Sequence, residues 1–145
     1  MDATPDHSAP DVLMQRDYAA VIRDARRRPF VWGEHDCVLF AAAAVRARTG
    51  RDTLAELDIA PTWRSALQAH SAIESAGGLR PGLTRLFGDP VAPLQAHAGD
   101  VAIVLDPDTK REMLAVVHHG SLLAPALPGL AVLPLTAALA AWRVA

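Results

Sequence analysis

Cys37 is the only thiol in this chain of 145 residues. An internal disulfide is excluded, so the fold does not depend on an oxidising compartment. Charge of one sign is also scarce. Fourteen Lys and Arg against 16 Asp and Glu leave a formal net charge of -2. That balance offers no electrostatic case for holding a nucleic-acid backbone, and no nucleic-acid partner is expected. Met1 to Pro10 lacks both the cationic start and the apolar centre of a secretory signal. Charge is missing altogether from Gly120 to Trp142, a stretch long enough to raise the question of a membrane span. Pro125, Pro128, Gly129 and Pro134 divide it, and a lone helix in lipid tolerates such breaks poorly. Short buried strands are expected there instead, and no membrane span.

What is present is apolar. The 51% share of hydrophobic residues and the length suit one domain with a full core. Residues 1–10 read as a flexible lead-in and 11–145 as a single domain without internal repeats. Helical spacing begins at Asp11, a candidate cap. It runs through Leu13, Met14, Ala20, Val21 and Ile22 to Arg26, Arg27 and Arg28, which complement the helix dipole before Pro29 stops it. A second helix is expected from Cys37 to Thr49, with Asp36 as N-cap and Gly50 as terminator. Its interior, Val38 to Val45, is apolar on every side, as in a helix buried mid-domain. A third helix is expected from Thr62 to the Ser75 region, capped by Thr62 and ended by Gly77-Gly78. A short turn of helix is expected at Leu83 to Phe87. Strands are expected at Val101 to Leu105, Leu114 to His118, Ser121 to Ala124 and Leu130 to Leu133, each bounded by Pro, Gly or Asp. Thr136 to Trp142 fits strand and short helix equally. Helices first and strands afterwards imply an α+β domain with an antiparallel sheet.

Cys37 stands where a helix begins. The dipole and the unpaired amides there favour thiolate, and the same amides suit an oxyanion. Asp36 opposes this with its negative charge. On position alone, a small buried hydrophobe is the commoner outcome for a lone cysteine.

The neighbouring residues add a second argument. Trp32-Gly33-x-x-Asp36-Cys37, opening an Ala-rich helix, resembles the nucleophile motif of the NlpC-type papain-like cell-wall cysteine peptidases. Gly99-Asp100-Val101-Ala102-Ile103 resembles the Gly-Asp strand that follows in that superfamily, and the order of elements agrees. A closer resemblance is to a group of small uncharacterised proteins encoded among phage tail genes. It rests on the Trp-Gly-x-x-Asp-Cys motif, on Thr49-Gly50-Arg51-Asp52, on the later Gly-Asp strand and on the ending Ala141-Trp142-Arg143-Val144, covering about Asp17 to Val144.

The resemblance implies a papain-like domain, with the Cys-bearing helix packed on a C-terminal antiparallel sheet. It implies Cys37 as nucleophile and a histidine opening the strand after the Gly-Asp strand. That position falls on or near Leu114. His118 shares its strand parity but lies roughly 13 Å along, at about 3.3 Å per residue. His118 and His119 are the candidate bases, yet neighbours on a strand point to opposite faces. His35, His97, His70 and His7 read as surface or structurally satisfied residues. No metal-site spacing occurs, and neither metal nor cofactor is expected. Gly77-Gly78 lacks a following Lys-Ser/Thr for a phosphate loop. Trp32, Trp63 and Trp142 read as core or interface anchors.

Two functions follow as expectations. The favoured one is a phage tail-tip-associated structural protein whose NlpC-like catalytic site is degenerate. It would be made in the host cytoplasm and incorporated into the virion, with other tail-tip proteins as partners. The alternative is an active cysteine peptidase that cleaves peptidoglycan stem peptides during phage entry.

Overall fold

The computed structural model describes residues 9–126 and 129–144, with the side chains of 9–14 excepted. Most of the expected lead-in, His7 included, and the side chains of Leu13 and Met14 lie outside the described residues. Helix α1 spans Ala9–Ala25, so it starts before Asp11 and takes in the end of the expected lead-in. Pro10 sits in its first turn, where no intrahelical N–H is required. The arginine run forms the turn after α1, with the Arg26 amide still donating to the Ile22 carbonyl at 3.2 Å.

Helix α2 spans Cys37–Thr49, as its capping residues imply. Asp36 is extended and accepts from the Leu39 amide, while Gly50 closes the helix in the left-handed region at φ 76°. Val38, Phe40, Ala41, Ala44 and Val45 are buried, and α2 packs between α1 and the sheet. Its alanines leave room for that close approach.

A single turn, α3, follows at Thr53–Glu56, capped by Asp52. Helix α4 spans Ala66–Ser75 and is capped by Ser65 rather than Thr62. Both residues are good caps by type. The helix starts after Trp63 because that indole is 2% exposed and bound elsewhere. Helix α5 spans Leu79–Phe87, a full turn longer than the expected segment.

Five antiparallel strands complete the domain: β1 Val101–Leu105, β2 Glu112–His118, β3 Ser121–Pro125, β4 Leu130–Pro134 and β5 Ala140–Trp142. Their spatial order is β4-β3-β2-β1-β5. The ambiguous C-terminal segment resolves into both forms. A 3-10 turn at Leu135–Ala137 leads into β5, which pairs with β1 through Val101↔Trp142.

The pleat sorts side chains onto two buried faces. Ile103, Leu114, Val116, Leu123 and Trp142 face the helices. Ala102, Val104, Ala115, Val117 and Leu122 form the other face, covered by residues that include Val91, Ala96, Leu133 and Leu135. An architecture of helices followed by a five-stranded antiparallel sheet is an α+β fold. No helix among the described residues is long and apolar enough to cross a membrane.

Candidate functional site

Cys37 begins α2 on the side of the helix that meets β2. Among the groups that act on its thiol are the backbone amides of Leu114, Val38 and Cys37 itself, that of Leu114 most strongly. These donors would stabilise a thiolate, but burial outweighs them. Cys37 keeps some solvent exposure as a residue, yet its sulfur lies among densely packed groups. Burial is the largest effect and the Asp36 carboxylate adds to it, so the thiol is pushed up to about 11. At neutral pH it is a thiol, not a thiolate.

Asp36 is fully buried. One oxygen, Oδ1, accepts from the Leu39 amide at 3.0 Å. The other accepts from the Gly33 amide at 2.9 Å and from the Trp63 indole Nε1 at 2.8 Å. The carboxylate therefore joins the Trp32-Gly33 turn, the α2 N-terminus and the segment before α4. The cap was legible in the sequence; the bond to Trp63, 27 positions away, was not.

Asp100, in the Gly-Asp strand motif, has a similar structural role. It is 2% exposed. Its oxygens accept from the His97 amide at 2.7 Å and from the Val144 amide at 3.0 Å. It thereby ties the loop before β1 to the end of the chain. Trp142 is also anchored, its indole donating to Thr84 Oγ1 at 3.2 Å.

The candidate histidines do not converge on Cys37. Leu114 occupies the strand position beside the thiol, and it is buried. His118 stands at the far end of β2 on the helix-facing side. Its Nδ1 is 3.0 Å from the Tyr18 hydroxyl of α1. Burial, then the positive charges of His119 and Arg26, lower the His118 pKa. Tyr18 is raised to about 12 by burial, against the lowering effect of Arg48 and with a smaller raising effect from Asp100.

His119 corrects one expectation. It is not the next strand residue on the opposite face. It sits in the β2–β3 turn at φ 49°, and its ring lies 4.2 Å from that of His118, centroid to centroid. The two rings are neighbours because the turn releases His119 from the pleat. His70 and His97 are exposed. His35 departs from the surface or satisfied role expected of it: it is 4% exposed, and its Nε2 lacks a hydrogen-bond partner. Nothing in its sequence neighbourhood signals this, because its burial depends on the end of α1 closing over it. Among the described residues, no group of three or more His, Cys, Asp or Glu side chains is disposed to hold a metal ion.

The site thus has a helix-start sulfur and converging amide donors, but no hydrogen-bonded base beside the sulfur among the described residues. No curated protein matches the chain, and no solved structure does. The profile of one family, described as a domain of unknown function (DUF6950), matches residues 12–144, and the chain belongs to that family.

Proposed function

We propose that this chain is a tail-tip-associated structural protein of a phage, built on the NlpC-type papain-like fold with a degenerate catalytic site. The observation that carries the degenerate part is the pairing of Cys37 with Leu114. A papain-like nucleophile needs a base within hydrogen-bond reach. Here no histidine among the described residues is hydrogen-bonded to the sulfur, and the largest influence that favours its thiolate comes from the backbone amide of Leu114. The thiol is correspondingly pushed up rather than down. His118 is engaged with Tyr18 instead.

The Asp-Cys motif does not require catalysis to explain it. Asp36 holds three donors in place, and Asp100 holds two. Both acids serve the fold. The tail-tip assignment rests on the motif resemblance, and the α+β order of elements agrees with it.

Two measurements test the reading. Purified protein incubated with peptidoglycan sacculi should release no new amino termini, and purified virions should contain the chain by mass spectrometry. Cleavage that disappears in Cys37→Ala would establish the peptidase instead. Absence of the chain from virions would remove the structural role. As a further check, Leu114→His should bring an imidazole beside the sulfur and lower the pH at which Cys37 alkylates.

A further inference from the structure

The sheet has two edges, β5 and β4, and the chain treats them differently. At the β5 edge the Val91 amide donates to the Ala141 carbonyl at 2.8 Å, so the segment before β1 covers it. The β4 edge is bare. Backbone hydrogen bonds in an antiparallel ladder alternate along each strand. The Ala126 amide donates to the Gly129 carbonyl at 2.9 Å, and the same register sets Ala124 against Ala131 and Leu122 against Leu133. Gly129, Ala131 and Leu133 therefore direct their backbone groups at β3. Leu130, Val132 and Pro134 direct theirs away from the sheet, and no hydrogen bond among the described residues meets them there.

Folded proteins guard such an edge with charge, proline, a bulge or a covering segment. β4 carries no charged residue, and Val132 at its centre is 65% exposed. Pro134 is a guard only at the end of the strand, where it removes one outward amide. The amides of Leu130 and Val132 and the carbonyls of Leu130, Val132 and Pro134 remain. This set is complementary to itself. Two copies related by a two-fold axis beside Val132 run antiparallel, with Val132 opposite Val132 and Leu130 opposite Pro134. Each Val132 amide then meets the other copy's Val132 carbonyl, and each Leu130 amide meets a Pro134 carbonyl. Every outward amide is satisfied. The amide that Pro134 lacks falls opposite the Leu130 carbonyl, which water can serve. Charge agrees with a second copy as the occupant: a charged edge would repel its own image across the axis, and this edge is neutral.

We propose that the β4 edge is an interface between two copies of this chain, which join edge to edge into one continuous antiparallel sheet. Backbone hydrogen bonds supply the affinity, and the two Val132 side chains add a β-branched pair on the axis. Five residues a side make a small contact, so the dimer is weak and reversible. The proposal goes beyond the tail-tip reading and does not rest on it.

Sedimentation equilibrium from about 10 μM to about 1 mM measures the association, with a reductant present so that Cys37 cannot link copies. The wild-type chain should dimerise reversibly within that range. In a mixture of isotope-labelled and unlabelled chains, isotope-filtered NMR should find the Ala131 Hα close to the Leu133 Hα of the other copy, the contact this register requires. Val132→Lys sets two charges against each other on the axis, and Val132→Pro removes both axial amides. Each should raise the dissociation constant about tenfold or more. Val132 turns its backbone away from β3, so both variants should keep the monomer's fold, and an edge position tolerates proline. Val132→Thr keeps the amide and the branch and should dimerise as wild type does. Should a variant fail to fold, the wild-type contact decides. The proposal is overturned by a wild type that stays monomeric, by a dimer without the Ala131–Leu133 contact, or by a folded Val132→Lys that dimerises as wild type does. A monomer whose Val132 amide still resists hydrogen exchange would give the edge to another segment of the same chain, and would overturn it equally.

Discussion

The indole N–H of Trp63 donates to the buried carboxylate of Asp36 at 2.8 Å, which makes the residue before Cys37 a joint between two separate segments. The same oxygen holds the Gly33 amide, and its companion caps α2. Removing the carboxylate strands all three donors at once. Asp36→Ala should therefore cost about 3 kcal/mol or more, above an ordinary lost cap, because buried donors are left unmet. Trp63→Phe keeps most of the apolar volume and should cost about 1–2 kcal/mol. Denaturant unfolding of the two single variants and the double variant checks this. A coupling energy near zero would mean that the indole and carboxylate are held independently.

Alkylation of Cys37 reports directly on whether the site is poised for chemistry. With the thiol pushed up to about 11, the thiolate fraction at pH 7 is roughly 10⁻⁴, against a few per cent for a free thiol. Iodoacetamide should accordingly label Cys37 about 10²-fold more slowly than a free thiol does at pH 7. The rate should climb through the alkaline range without a plateau near neutrality. Unfolding in guanidinium should restore ordinary reactivity. Fast labelling of the folded protein at pH 7 would show that the amide donors prevail over burial.

Much of this architecture was legible in the sequence where local chemistry and tertiary packing agree. Asp36 and Gly50 mark the ends of α2 because both satisfy backbone groups within the same turn. β1 falls on Val101–Leu105 because Asp100 and Asp106 bracket an uninterrupted apolar run. The start of α4 was misplaced because Thr62 and Ser65 are both capping residues, and what separates them is the distant demand of Asp36 for Trp63. The single turn α3 carries too few residues for any periodicity to register. At the candidate site, Cys37 and the parity of His118 were readable. The rings of His118 and His119 meet because of a left-handed turn residue that strand geometry does not foresee. The burial of His35 depends on α1 crossing it, a contact no local pattern encodes.

Alkaline pH should weaken the fold through two groups. Cys37 rises from an ordinary value of about 9 to about 11, and Tyr18 from about 10 to about 12. Between those limits the unfolded chain has released protons that the folded chain still holds. Stability falls with pH wherever the folded state binds more protons. The loss should begin near pH 9 and continue through pH 11 for Cys37, with the Tyr18 contribution following one unit later. Cys37→Ala should remove the earlier part of the decline and Tyr18→Phe the later part. Urea unfolding midpoints measured across this range distinguish the two. A wild-type profile that stays flat to pH 11 would contradict both assignments.

Glycine 33 is constrained in two ways at once, and a comparison of substitutions separates them. Gly33 and Gly50 both adopt left-handed backbone, at φ 82° and φ 76°. A Cβ on Gly50 meets nothing within 4 Å, whereas one on Gly33 overlaps the Trp63 carbonyl and the Arg64 guanidinium. Gly50→Ala should thus show the conformational penalty alone, about 1 kcal/mol. Gly33→Ala carries a similar penalty and must also displace a backbone carbonyl beside the indole that Asp36 holds. It should cost roughly 1–3 kcal/mol more than Gly50→Ala, the range for forcing atoms into a packed site. Because the displaced segment carries the buried Trp63, Gly33→Ala should also red-shift or broaden the tryptophan fluorescence of the folded protein, while Gly50→Ala leaves it unchanged. Equal costs for the two substitutions would mean that the Trp32-Gly33 turn is free to move away from α4, and that the Asp36 joint does not fix the start of the Cys37 helix.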